Sequence, residues 1–194
     1  MQTIGIVGDT HSKLNDSVLA AFSGDYRPDQ VFARLDIGNT ELLSACPCDL
    51  ILHAGDIGYA DAPAQWILDA LSDIAPVIAV AGNCDWPDKY TLNGKELPLY
   101  AAFEIENLSF AMLHTPADLN AAVWGRGALT PAYIKPVPDV LIHGHTHEVK
   151  IDSNRPGILT LSPGSPSKPH DGIPSVMIMK VEGGKILSVE AVRV

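Results

Sequence analysis

The chain has 194 residues, a mass of 20.7 kDa, 46% hydrophobic and 19% charged residues, which suits one globular domain over 1–194 and excludes a disordered or fibrous chain. Its formal net charge is −10 and it has no basic run able to neutralise a phosphate backbone, which excludes extended nucleic acid as a partner. Three cysteines give no disulfide framework, the first residues lack a signal-peptide pattern, and no apolar run approaches the ~18 residues of a membrane span, so a cytoplasmic protein without a membrane partner is expected.

Thr3 to Gly8 reads as a buried strand ending in polar Asp9, followed by a helix on which Leu14, Val18 and Phe22 recur, with Ser12 or Asn15 as its cap. Ser23 to Ser44 fits the pattern least well; Pro28 and Gly38 stand among Val31, Phe32, Leu35 and Ile37, as in a partly helical excursion. Cys46 and Cys48 form a bare C-x-C without a second pair, so they are read as loop or buried thiols and not as a zinc site. A second strand, Leu50 to Ala54, ends in Gly55-Asp56 and leads to a helix carrying Ile67, Ala70, Leu71 and Ile74, which Pro76 closes. Val77 to Ala81 is a third strand, ending in Gly82-Asn83, and this alternation predicts an α/β arrangement with parallel strands. Ala101 to Glu106 and Leu108 to Leu113 form two strands around a turn at Asn107. Val140 to Ile142 is another strand, running into His143-Gly144-His145-Thr146-His147. Beyond Val149, turns at 154–157, 163–166 and 182–185 divide short apolar runs, which read as antiparallel hairpins.

The side chains that end these strands carry the chemistry. Asp9 and His11, Asp56, Asn83, His114, and His145 with His147 each follow an apolar run directly. In open α/β sheets the carboxyl ends of strands converge on one crevice, so residues distant in sequence can meet there. Taken singly, Gly-Asp and Gly-Asn are ordinary turns and a lone histidine is an ordinary core residue, but three histidines in five loop residues have little structural use. Imidazole nitrogens with carboxylate and amide oxygens suit manganese, iron, zinc, cobalt or nickel better than magnesium alone. The set exceeds the needs of one ion, and Asp56 could bridge a pair ~3.5–4 Å apart, a spacing suited to in-line displacement at phosphorus.

The series Gly8-Asp9-Thr10-His11, Gly55-Asp56, Gly82-Asn83-Cys84-Asp85, His114 and Gly144-His145-Thr146-His147 resembles the calcineurin-like metallophosphoesterases, specifically their small YfcE-type phosphodiesterase branch, over nearly the whole chain. Pro163-Gly164-Ser165-Pro166 looks like that branch's own signature. The resemblance implies an α/β fold of two packed mixed β-sheets flanked by helices, and a phosphoric diester hydrolase acting on a small phosphate-ester substrate. It implies two divalent ions, manganese first, with nickel, zinc, iron and cobalt as alternatives. One ion would be held by Asp9, His11, Asp56 and His147, the other by Asp56, Asn83, His114 and His145, with a bridging hydroxide as nucleophile. Catalysis would rest on Asp9, Asp56, Asn83 and His114, with Asp85 orienting its neighbours and His170 a candidate contact to substrate phosphate, near where the branch often carries arginine.

The chain departs from the wider family at three places. Cys84 stands where many members carry the histidine that protonates the leaving group, Thr115 follows His114 where glycine is usual, and 23–44 has the character of an insertion, a lid, an oligomer contact or a tolerated surface loop. His53 and His143 precede ligand positions inside their strands and are read as facing a neighbouring layer or standing behind the site. Two rivals share the fold: a protein-interaction scaffold like the retromer subunit, which has no reason to keep the ligand set, and a nuclease, disfavoured by the acidic charge and the missing histidine.

Overall fold

Alternation along the strands decides the layering of the chain, which a computed structural model describes at residues 1–36, 45–59, 61–85, 90–125 and 134–194. On β1 (Gln2–Val7), Ile4 and Ile6 turn to one face and Val7 to the other, and on β3 (Leu50–His53) Leu52 and Ile51 divide in the same way. With period 2 and both faces apolar, such strands must be covered on both sides. β1, β3 and β4 (Val77–Ala79) run parallel in a six-stranded sheet of order β2-β13-β12-β1-β3-β4. Its other members, β2 (Val31–Asp36), β12 (Ser175–Glu182) and β13 (Lys185–Arg193), pair antiparallel.

A five-stranded sheet of order β10-β11-β9-β8-β7 faces it. Here β8 (Leu108–Leu113), β9 (Val140–Ile142) and β11 (Ile158–Pro163) are parallel, with β7 (Tyr100–Ile105) and β10 (Val149–Arg155) antiparallel at the edges. Phe110, Met112, Val140, Ile142 and Leu161 pack against Ile4, Ile6, Leu52, Met177 and Met179 to form the core between the sheets. The outer face of the larger sheet is covered by α1 (Asp16–Phe22) and α2 (Gln65–Ser72) through Val18, Phe22, Ile67, Leu68 and Leu71. The outer face of the smaller sheet is covered by α3 (Pro116–Trp124) through Leu119, Ala122 and Val123. The architecture is therefore α/β, two packed mixed sheets flanked by helices, as expected.

Several local readings need correction. In its described part, 23–36, the stretch expected to be partly helical forms a 3-10 turn, Pro28–Gln30, and then the edge strand β2, because Phe32, Ala33 and Leu35 add to the inter-sheet core. Residues 37–44 of that stretch lie outside the described residues. Pro163-Gly164 is no hairpin turn: β11 ends in one sheet and β12 begins in the other, so the segment crosses between them. The parallel arrangement holds only for β1, β3 and β4 and for β8, β9 and β11. Helix α3 was not anticipated, although Thr115-Pro116 signals it: the Thr115 hydroxyl accepts from the Asp118 amide at 3.0 Å and proline occupies the first turn. A small hairpin of β5 (Thr91–Leu92) and β6 (Lys95–Glu96) about Asn93-Gly94 was likewise missed, despite the usual two-residue turn pair. Among the described residues no helix is long and apolar enough to cross a membrane.

The inter-sheet core holds the two sets of parallel strands side by side. Phe110, 1% exposed, stacks on Phe103 with centroids 5.4 Å apart. Phe110→Ala is expected to cost ~3–5 kcal/mol in urea unfolding, and a loss under ~1 kcal/mol would show that this contact does not hold the sheets together.

Candidate metal centre

All six parallel strands point their carboxyl ends the same way within their sheets, and the loops that follow them supply the site. Asp9 and His11 follow β1, Asp56 follows β3, Asn83 follows β4, His114 follows β8, His145 and His147 follow β9, and the Pro-Gly-Ser-Pro segment follows β11. Asp9, His11, Asp56 and His114 are buried and form the floor; His147 is half-buried, and Asn83 and His145 are exposed at the rim.

The loops are fastened to one another by main-chain hydrogen bonds. The Asp9 amide donates to Gly55 O at 2.9 Å, that of His11 to Asp56 O at 3.0 Å and that of Ser12 to Ile57 O at 2.8 Å, joining the β1 and β3 loops. The buried Asp85 carboxylate accepts from the amides of Ile57 (2.8 Å), Gly58 (3.1 Å) and Gly82 (2.7 Å), joining the β3 and β4 loops. The two sheets are joined where the His145 amide reaches both oxygens of Asp9 at 3.1 and 3.0 Å. Ser165 Oγ donates to Asp9 O at 2.7 Å from the segment after β11. Gly144 has to be glycine, because a Cβ there would lie 2.6 Å from Asp9 Oδ2.

This convergence strains the backbone. Asp9 (φ 54°), His11 (46°), Asp56 (54°), His145 (68°) and His147 (56°) all adopt the left-handed region, which costs a non-glycine residue on the order of 1 kcal/mol each. The hydrogen-bonded loops hold them there.

The donor atoms fall into two groups that share one oxygen. In the first, His11 Nε2 lies 3.0 Å from His147 Nε2, His147 Nε2 lies 3.3 Å from Asp9 Oδ1, and His11 Nε2 lies 3.9 Å from Asp56 Oδ2. In the second, His114 Nε2 lies 3.3 Å from Asp56 Oδ2 and 3.1 Å from Asn83 Oδ1, which is 2.9 Å from His145 Nδ1. Two atoms each about 2.0–2.2 Å from a common ion at octahedral or tetrahedral angles stand about 2.8–3.6 Å apart, so the spacings of 2.9–3.3 Å fit ligand sets, and the 3.9 Å between His11 Nε2 and Asp56 Oδ2 is wider than that range. Protonation makes the same point. His114 Nδ1 faces Ala54 O at 2.8 Å and His147 Nδ1 faces Lys168 O at 2.7 Å, so each carries its hydrogen on Nδ1 when neutral. Their Nε2 lone pairs then point at carboxylate and amide oxygens, which only a proton or a cation can relieve.

The metal-free electrostatics agree. Burial pushes the Asp56 carboxyl up, but His114 and the Cys84 amide, which donates to Asp56 Oδ1 at 2.8 Å, outweigh it and bring it down to about 2. Burial opposes charge on His114, and Asp56 with Asp9 overcomes it, so its pKa rises; His147 is raised by its hydrogen bond to Asp9. His11 is lowered by burial. The Cys84 thiol is pushed up to about 12 by burial and by the neighbouring Asp56 carboxylate. Burial raises Asp85 against its three amide donors.

His53 is not among the donors. Its Nε2 lies 3.1 Å from Thr10 Oγ1, its Nδ1 accepts from the Gly55 amide at 3.2 Å, and burial lowers its pKa to about 3, so it braces the loop as a neutral ring. His143 faces away from the donors, with Nδ1 2.9 Å from Gly144 O. His170 is exposed, its ring 6.3 Å from that of His147 and its Nδ1 3.6 Å from Glu148. Thr115 has a local role, since its hydroxyl caps α3. Tyr59 and Lys168 were not anticipated: Tyr59 stacks on His11 at 4.7 Å and Lys168 is hydrogen-bonded to the Tyr59 hydroxyl. Neither carries a motif; only the path of the two loops brings them to the site.

A nitrogen- and oxygen-rich donor cluster at the strand ends of a two-sheet α/β sandwich defines a candidate metal-binding site. The calcineurin-like phosphoesterase superfamily domain matches residues 2–184, and the chain belongs to that superfamily. It is 34% identical over 191 residues to a probable metallophosphoesterase of Methanothermobacter thermautotrophicus, covering 94% of this chain and 88% of that one. Among solved structures it is similar to the phosphoesterase Yfce of E. coli (TM-score 0.60, 20% identity, 98% of this chain and 100% of the other). It is also similar to wild-type Vps29 of Entamoeba histolytica complexed with zinc (TM-score 0.59, 17% identity, 99% and 98%). Both likenesses show a shared fold.

Because His114 and His147 have raised pKa values without metal, a divalent ion must displace protons from them. Manganese binding should therefore release protons at pH values below the raised pKa values of these two histidines and lose this release well above them, with affinity falling as pH drops. Calorimetry in buffers of different ionisation enthalpy measures it; release that does not change with pH would refute it.

Proposed function

We propose that this chain is a metal-dependent phosphodiesterase working with two divalent ions, manganese first among candidates, on a small phosphate-ester substrate. The observation that carries this reading is the pair of donor groups sharing Asp56 Oδ2. Asp9, His11, Asp56 and His147 would hold one ion, and Asp56, Asn83, His114 and His145 the other. Bound there, such a pair neutralises charge on phosphoryl oxygens and lowers the pKa of water from about 15.7 to about 7.

The chain's own residues do the rest. Asp85 keeps the Asn83 turn against the Asp56 turn through its three amide contacts, which supports a fixed separation between the two donor groups. His114 and His147 are held edge-on by Ala54 O and Lys168 O, so their Nε2 atoms cannot swing away. Asn83 and His145 stand at the exposed rim, over which a substrate would enter. Cys84 occupies the place from which a leaving group would be protonated, but a thiol raised to about 12 is a poor acid near neutral pH. This supports diesters and esters with good leaving groups over alkyl monoesters. A non-catalytic scaffold is the rival, and a complete donor set on strained backbone weighs against it. The net charge of −10 weighs against a nuclease acting on long chains.

Chelator-treated protein is expected to be inactive, and manganese to restore hydrolysis of bis(4-nitrophenyl) phosphate; equal rates before and after verified metal removal would sink the proposal. Asp56→Asn should lose both ions together, whereas His114→Ala should chiefly lose the second, as read by elemental analysis. Full metal content in the Asp56 variant would refute the shared ligand.

A further inference from the structure

Lys168 is an exposed side chain, yet its main chain is tied to the donor cluster on both sides. Its amide donates to Ser165 Oγ at 2.9 Å, and the same hydroxyl donates to Asp9 O. Its carbonyl, 2.7 Å from His147 Nδ1, sets the tilt of that ring. The side chain then folds back over Tyr59, with Nζ hydrogen-bonded to the phenol oxygen and 4.6 Å from the ring centroid. Tyr59 in turn stacks on His11 at 4.7 Å and 17°. His11, Tyr59 and Lys168 thus form one pile, with an ammonium at its outer end.

That ammonium has no carboxylate partner among the described residues, in a chain of net charge −10 where carboxylates are plentiful. A cation placed next to a cluster that itself fits cations is repelled unless an anion joins it, and a neutral phenol does not compensate charge. Two carboxylates, Asp9 and Asp56, serve the donor groups, so a loaded site has an excess of positive charge even before Lys168 is counted. His11, Tyr59 and Nζ follow one another at 4.7 and 4.6 Å, so the ammonium stands next to the first donor group without being one of its donors.

Building on the phosphoesterase reading above, we propose that Lys168, braced by Tyr59, binds a second phosphate group of the substrate next to the scissile one. The preferred substrates of this chain are then phosphoesters with two adjacent phosphates, not esters with a single charge. The ammonium donates a charge-assisted hydrogen bond to the second phosphate while the Tyr59 hydroxyl keeps the side chain from sweeping solvent.

The test uses adenosine 5′-monophosphate and adenosine 5′-diphosphate, which differ by one phosphate, with the manganese-loaded full chain at saturating free metal. Affinities are read by calorimetry and as inhibition of bis(4-nitrophenyl) phosphate hydrolysis. The wild-type chain should bind the diphosphate about 10–100-fold tighter than the monophosphate. Lys168→Met should bring this ratio close to unity, Lys168→Arg should keep most of it, and Tyr59→Phe should reduce it in part, each with the metal content of wild type. No preference in the wild-type chain, or an unchanged ratio in Lys168→Met, would overturn the proposal. Should the wild-type chain fail to hydrolyse any ester yet keep a Lys168-dependent preference in calorimetry, the phosphoesterase reading falls and the second-phosphate site stands.

Discussion

Oxygen and nitrogen lone pairs are brought within 2.9–3.9 Å of one another at the carboxyl ends of the parallel strands, and much of the molecule is arranged to sustain this. Such groups repel when each has only another acceptor opposite it, and burial removes the water that would separate them. Folding tolerates the arrangement because the loops are fastened elsewhere. Asp85 fastens the β3 and β4 loops, the His145 amide and the Ser165 hydroxyl fasten Asp9, and the left-handed residues have no room to relax. Protons on His114 and His147, whose pKa values are raised, offset the remaining imbalance, and a divalent ion would relieve it more fully.

The same constraint explains the departures from the family pattern. Cys84 donates its amide to Asp56 whatever its side chain is, so the position can lose its histidine without loosening the donor groups. Thr115 replaces a more flexible residue after His114 and in exchange starts α3, the helix that closes the outer face of the smaller sheet. Substitutions near the centre are thus accepted where the main chain, not the side chain, makes the contact.

Superfamily membership and shared fold leave wide scope for what enters the site, since the two sheets and their floor can serve different rims. In this chain the floor is buried, while Asn83, His145, Lys168 and His170 stand at the entrance. Selectivity is expected to reside in Lys168 and His170, which are not among the proposed ligands. Side chains at a rim act on substrate without disturbing the packed core, and they lie on loops free to vary.

Much of the candidate metal centre was legible in the sequence because it depends on a local rule, that a polar side chain directly after a buried strand sits at the strand's carboxyl end. Asp9, His11, Asp56, Asn83, His114, His145 and His147 could be picked out by that rule and by family likeness, and the structure brings them together. The β1, β3, β8 and β9 strands could be read the same way from apolar runs. Nothing in such runs tells which strand neighbours which, so the mixed order of both sheets, the crossing at Pro163-Gly164 and the edge strand β2 were decided by tertiary packing. Register and pairing depend on which apolar faces must meet, a property of the whole chain. Lys168 and Tyr59 make the same point at the site: 109 residues separate them, neither belongs to a motif, and only the folding of two loops onto one donor group makes them partners.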